Sequence, residues 1–156
     1  AVIQGPKGKR TVAVEQVAIA PGKTSLKKGE LVEAILLPAK KPKSGDAYLR
    51  FIPRTEMDIA VVSAAVSLTL GEKGVIKDAR VSLGAVAPTV LLVKAAAKAI
   101  IGTKLDEAAL EKLGQAASAA CSPIDDKRGT IEFRTKVAAV LAKRAAQIAY
   151  KRAGGK

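Results

Sequence analysis

The sequence predicts an α+β fold, a small antiparallel sheet packed on one face by three helices, and two observations carry that prediction. Between Asp58 and Leu70 the chain alternates, with Val61, Ser63, Ala65, Ser67 and Thr69 on one side and Val62, Ala64, Val66, Leu68 and Leu70 on the other. A period of two belongs to a strand with one buried face. After Pro88 the texture changes to alanine-rich stretches, Val90 to Ile101, Asp106 to Ala120 and Gly129 to Arg152, that read as helices. Strands followed by helices, rather than alternating with them, give segregated layers.

Taken in order, Lys9 to Val14 reads as a short strand and Leu31 to Leu37 as a second, with Pro21-Gly22 and Lys27-Lys28-Gly29 as the turn chemistry between them. Residues 39–46, AKKPKSGD, are polar and hold Pro and Gly, which predicts a linker and a domain boundary. Ala47 to Phe51 reads as a strand leading into the alternating segment. Gly71-Glu72-Lys73-Gly74 then reverses the chain, and Val75 to Leu83 returns antiparallel. Gly102 stops the first helix, and Gly154-Gly155 predicts a frayed tail from Ala153 to Lys156. There is no internal repeat.

Composition narrows the chemistry. A length of 156 residues suits one ordinary domain, alone or with a piece of another. The apolar fraction is 49% with only two Phe, two Tyr and no Trp, so the expected core is aliphatic. The absence of histidine removes an imidazole base, a His metal ligand and a Ser-His dyad. Cys121, the single cysteine, cannot form an internal disulfide, which favours a reducing compartment; beside an alanine-rich helix it reads as a buried, inert thiol. No apolar run approaches the roughly 20 residues that span a bilayer. A cytoplasmic protein with no membrane partner is expected. The chain starts at Ala rather than Met, without signal-peptide character, which suggests processing or trimming rather than secretion.

A formal net charge of +13, from 27 Lys plus Arg against 14 Asp plus Glu, raises nucleic acid as a partner. The lysines are scattered, however, with no interleaved aromatic residues to stack bases. In the third helix Lys136 and Lys143, with Lys151 and Arg152 further along, oppose an apolar stripe of Val137, Val140, Leu141, Ala145 and Ile148, as on any solvated helix. The expectation is no nucleic-acid binding.

Several residues form a recognisable pattern. Arg54, Asp58, Ile59 and Ala60 make R-x-x-x-D-I-A at a strand entry, and Gly84, Val86, Ala87 and Pro88 end the returning strand. Downstream come Pro123, Asp125 or Asp126, Arg128 and Ile131-Glu132-Phe133-Arg134 at the head of the third helix. Upstream stand Gly8-Lys9-Arg10-Thr11-Val12 and Gly22-Lys23-Thr24 with Leu26, Glu30, Leu31 and Pro38. Over nearly its whole length the chain resembles the C-terminal part of the flavin-binding subunit of molybdenum hydroxylases, the xanthine dehydrogenase and aerobic carbon monoxide dehydrogenase family. The resemblance implies that residues 1–38 are the tail end of a flavin-binding domain, 39–46 a linker and 47–153 the C-terminal domain. It also implies FAD as cofactor of the full subunit, and as partners the remaining flavin-binding domains, a molybdenum-containing large subunit and an iron-sulfur small subunit.

Two cofactor contacts follow from the resemblance: Val32, two residues after Glu30, would pack against the flavin site, and Arg50, on the strand before the R-x-x-x-D motif, would reach the cofactor. The family usually carries Leu and Lys there. Taken alone, Val32 is a strand residue facing a core and Arg50 a surface cation. No G-G-T or G-G-N segment is present to approach a diphosphate, so the chain by itself is expected to hold FAD weakly or not at all. No catalytic residue and no metal ligand is expected. A stand-alone structural or subunit-interaction module is the alternative. Arg54 and Asp58 suggest an ion pair, with Asp58 accepting backbone N–H bonds at the bend. Asp125-Asp126 suits helix capping better than a divalent cation. Glu132 suits the positive end of the third helix, and a buried Arg134 would tie that helix to the sheet, both at a domain or subunit seam.

Overall fold

The computed structural model describes residues 1–54 and 58–155, which form two compact units, Ala1–Lys40 and Lys41–Lys156.

The first unit is built from short strands. β1 (Val2–Gly5) pairs antiparallel with β2 (Gly8–Thr11) on one side and with β5 (Leu31–Ala34) on the other. Between them β3 (Ala18–Ala20) and β4 (Lys23–Thr24) make a hairpin whose turn holds Gly22 at φ 68°, a value that glycine adopts without steric cost. The two strands expected from sequence are present but shorter, ending at Thr11 and Ala34 rather than Val14 and Leu37. Each ends where its cross-strand partner does, because β1 offers only four residues to pair with. β1 and the β3–β4 hairpin were not legible as strands. Arg10, across from the fully buried Ile3, donates to the Glu30 carboxylate at 3.0 and 2.8 Å and to the Ser25 carbonyl at 3.1 Å. Glu30 also accepts from the Lys27 N–H at 2.7 Å, closing the loop into β5. The Arg10 hydrogen bond, aided by that N–H, lowers the Glu30 pKa to about 2.

The second unit carries the predicted layers. β6 (Ser44–Phe51), β7 (Val62–Leu70), β8 (Ile76–Gly84) and β9 (Leu91–Leu92) form an antiparallel sheet in that order. Three helices follow: α1 (Lys94–Ile100), α2 (Glu107–Ala119) and α3 (Ile131–Arg152). The alternation read from β7 is realised, with Val62, Ala64, Val66, Leu68 and Leu70 all buried in the core that Val81 and Leu83 of β8 share with Ile100, Leu113 and Ala142 of the helices. Ser67 of β7 and Asp46, Tyr48 and Arg50 of β6 are exposed on the other face, as an antiparallel sheet covered on one side requires.

Three boundaries in this unit differ from the sequence reading by three residues or more. β6 begins at Ser44, inside the expected linker, because Gly45 is a close-approach glycine rather than a turn glycine: a Cβ there would overlap the Ala149 carbonyl and lie 2.6 Å from the Ala153 nitrogen at the end of α3. The first helix begins at Lys94, not Val90, because Leu91 and Leu92 pair with Leu83 and Ser82 and extend the sheet edge, with the Val93 N–H donated to the Val81 carbonyl at 2.8 Å. β7 begins at Val62, and ahead of the ladder the Asp58 carboxylate accepts from Arg128, Arg54 and the Ile59 N–H.

The inner face of α3 is mostly alanine, with Ala138, Ala142, Ala145 and Ala149 all fully buried. Val140 of the expected stripe stands outside it, 44% exposed. Lys143 is correspondingly not on a solvated face: it packs its stem on Gly114 of α2 and pairs with Glu111. The tail is ordered where it was expected to fray. Ala153 is buried, and the Gly155 N–H donates to the Tyr150 carbonyl at 3.0 Å, while Lys156 lies outside the described residues.

Candidate functional site

The two residues proposed for cofactor contact are both on strands. Val32 stands on β5 across from Ile3, 38% exposed, in the first unit. Arg50 stands on β6 in the second unit, and each is placed by its own unit alone. Arg50 is exposed on the uncovered sheet face two residues beyond Tyr48, which is also exposed. Across the sheet from Arg50 come Ser63 and then Gly84, and across from Tyr48 come Ala65 and Ser82. These side chains are small, and Ser63 and Gly84 are themselves buried. At Gly84 a Cβ would come within 2.5 Å of the Ser63 Oγ, so a side chain there would displace the hydroxyl.

Beyond Phe51 the motif residues converge from two distant segments. The Asp58 carboxylate, 2% exposed, accepts from Arg128, from Arg54 at 3.4 Å and from its neighbour's Ile59 N–H at 2.9 Å. The Arg128 hydrogen bond is the main reason its carboxyl is held below the usual range. Both structural roles expected of Asp58, ion pair and bend acceptor, are realised, and a second arginine joins the pair.

Arg134 is the buried counterpart, 4% exposed in the first turns of α3. Its guanidinium donates to the Val61 carbonyl at 2.6 Å, the Asp126 carboxylate at 2.6 Å, the Gly129 carbonyl at 3.3 Å and the Ala85 carbonyl at 3.4 Å. One side chain thus satisfies acceptors from the entry of β7, the exit of β8 and the loop before α3. The expected tie between helix and sheet is present. Asp126 is oriented by the Arg128 and Gly129 N–H groups at 2.8 and 3.2 Å; the Arg128 N–H, then Arg134, hold its carboxyl below the usual range.

Capping is shared by two residues. The Thr130 hydroxyl accepts from the Phe133 N–H at 3.1 Å and Asp125 accepts from the Ile131 N–H, so Asp125 caps the helix while Asp126 braces Arg134. Glu132 pairs with Lys136 at 2.6 Å along the helix. Among the described residues no group of three or more His, Cys, Asp or Glu comes together as a metal site. Cys121 is half-buried and donates to the Ala117 carbonyl at 3.2 Å; burial raises its pKa, which disfavours the nucleophilic thiolate.

Sequence reasoning missed the aromatic contact that joins these pieces. The Phe51 ring at the end of β6 meets the Phe133 ring of α3 edge to face, with centroids 5.7 Å apart and planes at 69°. The only signal was that two of the few aromatic residues flank the two motifs.

Comparison with known proteins agrees with this arrangement of motifs. The family described as CO dehydrogenase flavoprotein C-terminal domain matches residues 47–149. The chain belongs to this family. It is 38% identical over 151 residues to the carbon monoxide dehydrogenase medium chain of Afipia carboxidovorans, covering 97% of this chain and 52% of that one. It is 28% identical over 155 residues to the xanthine dehydrogenase FAD-binding subunit of Escherichia coli, covering 99% and 53% respectively. Among solved structures it superposes on a chain of the reconstituted CO dehydrogenase from Oligotropha carboxidovorans with a TM-score of 0.91 and 36% identity, covering 97% of this chain and 52% of that one. The chain therefore spans about half the length of the relatives it matches. The family match begins at Ala47, three residues into β6. No helix among the described residues is long and apolar enough to cross a membrane.

Proposed function

We propose that this chain is the C-terminal portion of the FAD-carrying subunit of a molybdenum hydroxylase and closes one side of its flavin site. The family match over residues 47–149 carries this reading. Residues 1–38 are the tail end of a flavin-binding domain, and the segment that follows, up to β6, joins it to the C-terminal domain. The exposure of the first unit's apolar residues supports that assignment. Leu31 is 58% and Leu37 86% exposed, as expected of side chains made to pack against the rest of a larger domain.

The residues fit an edge of FAD rather than the whole cofactor. Gly8, Gly22 and Gly29 take positive φ values one at a time in separate turns, so in the first unit no run of consecutive glycine amides cradles a diphosphate. Arg50, by contrast, is exposed and carries a planar fork of N–H donors, suited to acceptor atoms on a cofactor edge. Val32 adds an apolar contact. Bound FAD supplies the electron chemistry; the protein supplies position, charge and exclusion of water. In the holoenzyme, electrons from a molybdenum centre in a large subunit would pass through iron-sulfur clusters in a small subunit and FAD to an acceptor, in the cytoplasm.

The test is Arg50→Ala in the full-length subunit, with Arg50→Lys beside it. The alanine variant retains less FAD per protein after desalting, and the lysine variant, which keeps the charge, recovers part of it. Equal flavin occupancy in all three sinks the contact assignment.

A further inference from the structure

Arg50 is the next-to-last residue of β6, and that end of the strand is held from α3. The ladder closes at Arg50 opposite Ser63 and Phe51 opposite Val62, and the Val61 N–H donates to the Phe51 carbonyl at 2.9 Å. Pro53 follows two residues later and has no N–H with which to continue the pairing. A strand end of this kind frays unless something outside the ladder pins it. Two adjacent residues of α3 do so: Phe133 packs its ring against Phe51, and Arg134 donates at 2.6 Å to the carbonyl of Val61, the residue just before β7 whose N–H bonds Phe51. Phe133 is fixed in turn by the Thr130 cap on its own N–H.

We propose that Phe133 and Arg134 are positioning residues for Arg50, so that the head of α3 sets where the guanidinium meets the cofactor. The inference rests on the flavin-edge role proposed above for Arg50. The side chain of Arg50 is long and exposed, so its aim depends on the backbone beneath it. That backbone is held on one side by the β7 ladder and at its end by the Phe51–Phe133 contact. Phe133 is itself 41% exposed, which keeps its contribution to the core small and makes it the better probe of the two.

The experiment is a double-mutant cycle on FAD affinity in the full-length subunit, comparing the parent, Arg50→Ala, Phe133→Ala and the two combined, with Arg134→Lys as a second probe of the clasp. Far-UV circular dichroism and thermal unfolding accompany each variant. Phe133→Ala weakens FAD binding about three- to tenfold when Arg50 is present, within the range of coupling between residues in one contact network. It has no further effect once Arg50 is alanine. Arg134→Lys, which keeps one donor, gives a smaller loss that vanishes in the same background. An equal loss with and without Arg50, or no loss from either probe while Arg50→Ala weakens binding, overturns the positioning role and leaves the Arg50 contact standing. If Arg50→Ala itself changes nothing, the flavin-edge reading falls first and the positioning role with it.

Discussion

The two units spend similar sequence chemistry differently. In Lys41–Lys156 both layers contribute to one aliphatic core, and Val61, Val66, Val81, Leu83, Ile100 and Leu113 are all fully enclosed. In Ala1–Lys40 only Ala1 and Ile3 are buried among the apolar residues, while Val14, Ile19, Leu31, Ile35, Leu36 and Leu37 remain more than half exposed. The first unit is held by strand ladders and by the Arg10–Glu30 pair, the second by burial. The difference shows how little a backbone ladder says about self-sufficiency: both units have well-formed sheets, and one has a core.

The largest effect that would sharpen this contrast is a core truncation in the second unit. Leu113→Ala should cost about 2–5 kcal/mol of unfolding free energy, the usual range for Leu truncation at a buried site. Both tyrosines, Tyr48 and Tyr150, lie in the second unit, so tyrosine fluorescence during urea unfolding follows that unit specifically. A loss below 1 kcal/mol would mean that the α2 packing is looser than it stands here. Next comes Arg134→Met. It leaves the buried Val61 carbonyl without its donor and should cost about 1–3 kcal/mol in the same titration, as the lost partner of a buried acceptor does.

Acid should separate the units further. The Glu30 pKa is lowered to about 2 in the folded chain from 4.5, so its contribution is complete above pH 4.5 and is lost as the pH falls toward 2. Amide exchange in β1 and β5, followed by mass spectrometry, should accelerate across that window in the parent. In Glu30→Gln, which no longer titrates there, the added acceleration should be absent; an identical pH profile in the variant would show that the pair does not secure the first unit. The smallest expected effect is Leu37→Ala. Exposed side chains usually contribute within about 0.5 kcal/mol, so unfolding of the chain as given should hardly change. A large loss would break the comparison, since it would require Leu37 to be buried.

Much of the second unit was legible because its signals were local and periodic. The β7 alternation, the Gly71–Gly74 reversal and the Gly102 stop each state their structure within a few residues. Where reading failed, a distant partner decided the outcome. Gly45 looks like linker chemistry until the end of α3 is laid over it, and Leu91-Leu92 looks like the start of a helix until β8 offers an edge. The first unit failed for a related reason: β1 is a four-residue strand, and its neighbours, rather than its own pattern, define it. In the candidate site, the roles of Asp58 and Arg134 followed from charge type and position in the motifs, and the resemblance supplied Arg50. The Phe51–Phe133 contact joins residues far apart in sequence and left no periodic trace.

The most direct test of a flavin site completed outside this chain is visible absorption after incubation with excess FAD and desalting, on this chain and on the full-length subunit in parallel. The account predicts a colourless chain and a full-length subunit that keeps its flavin bands. Flavin retained by the chain alone would contradict it, because a diphosphate would then be held without a glycine cradle.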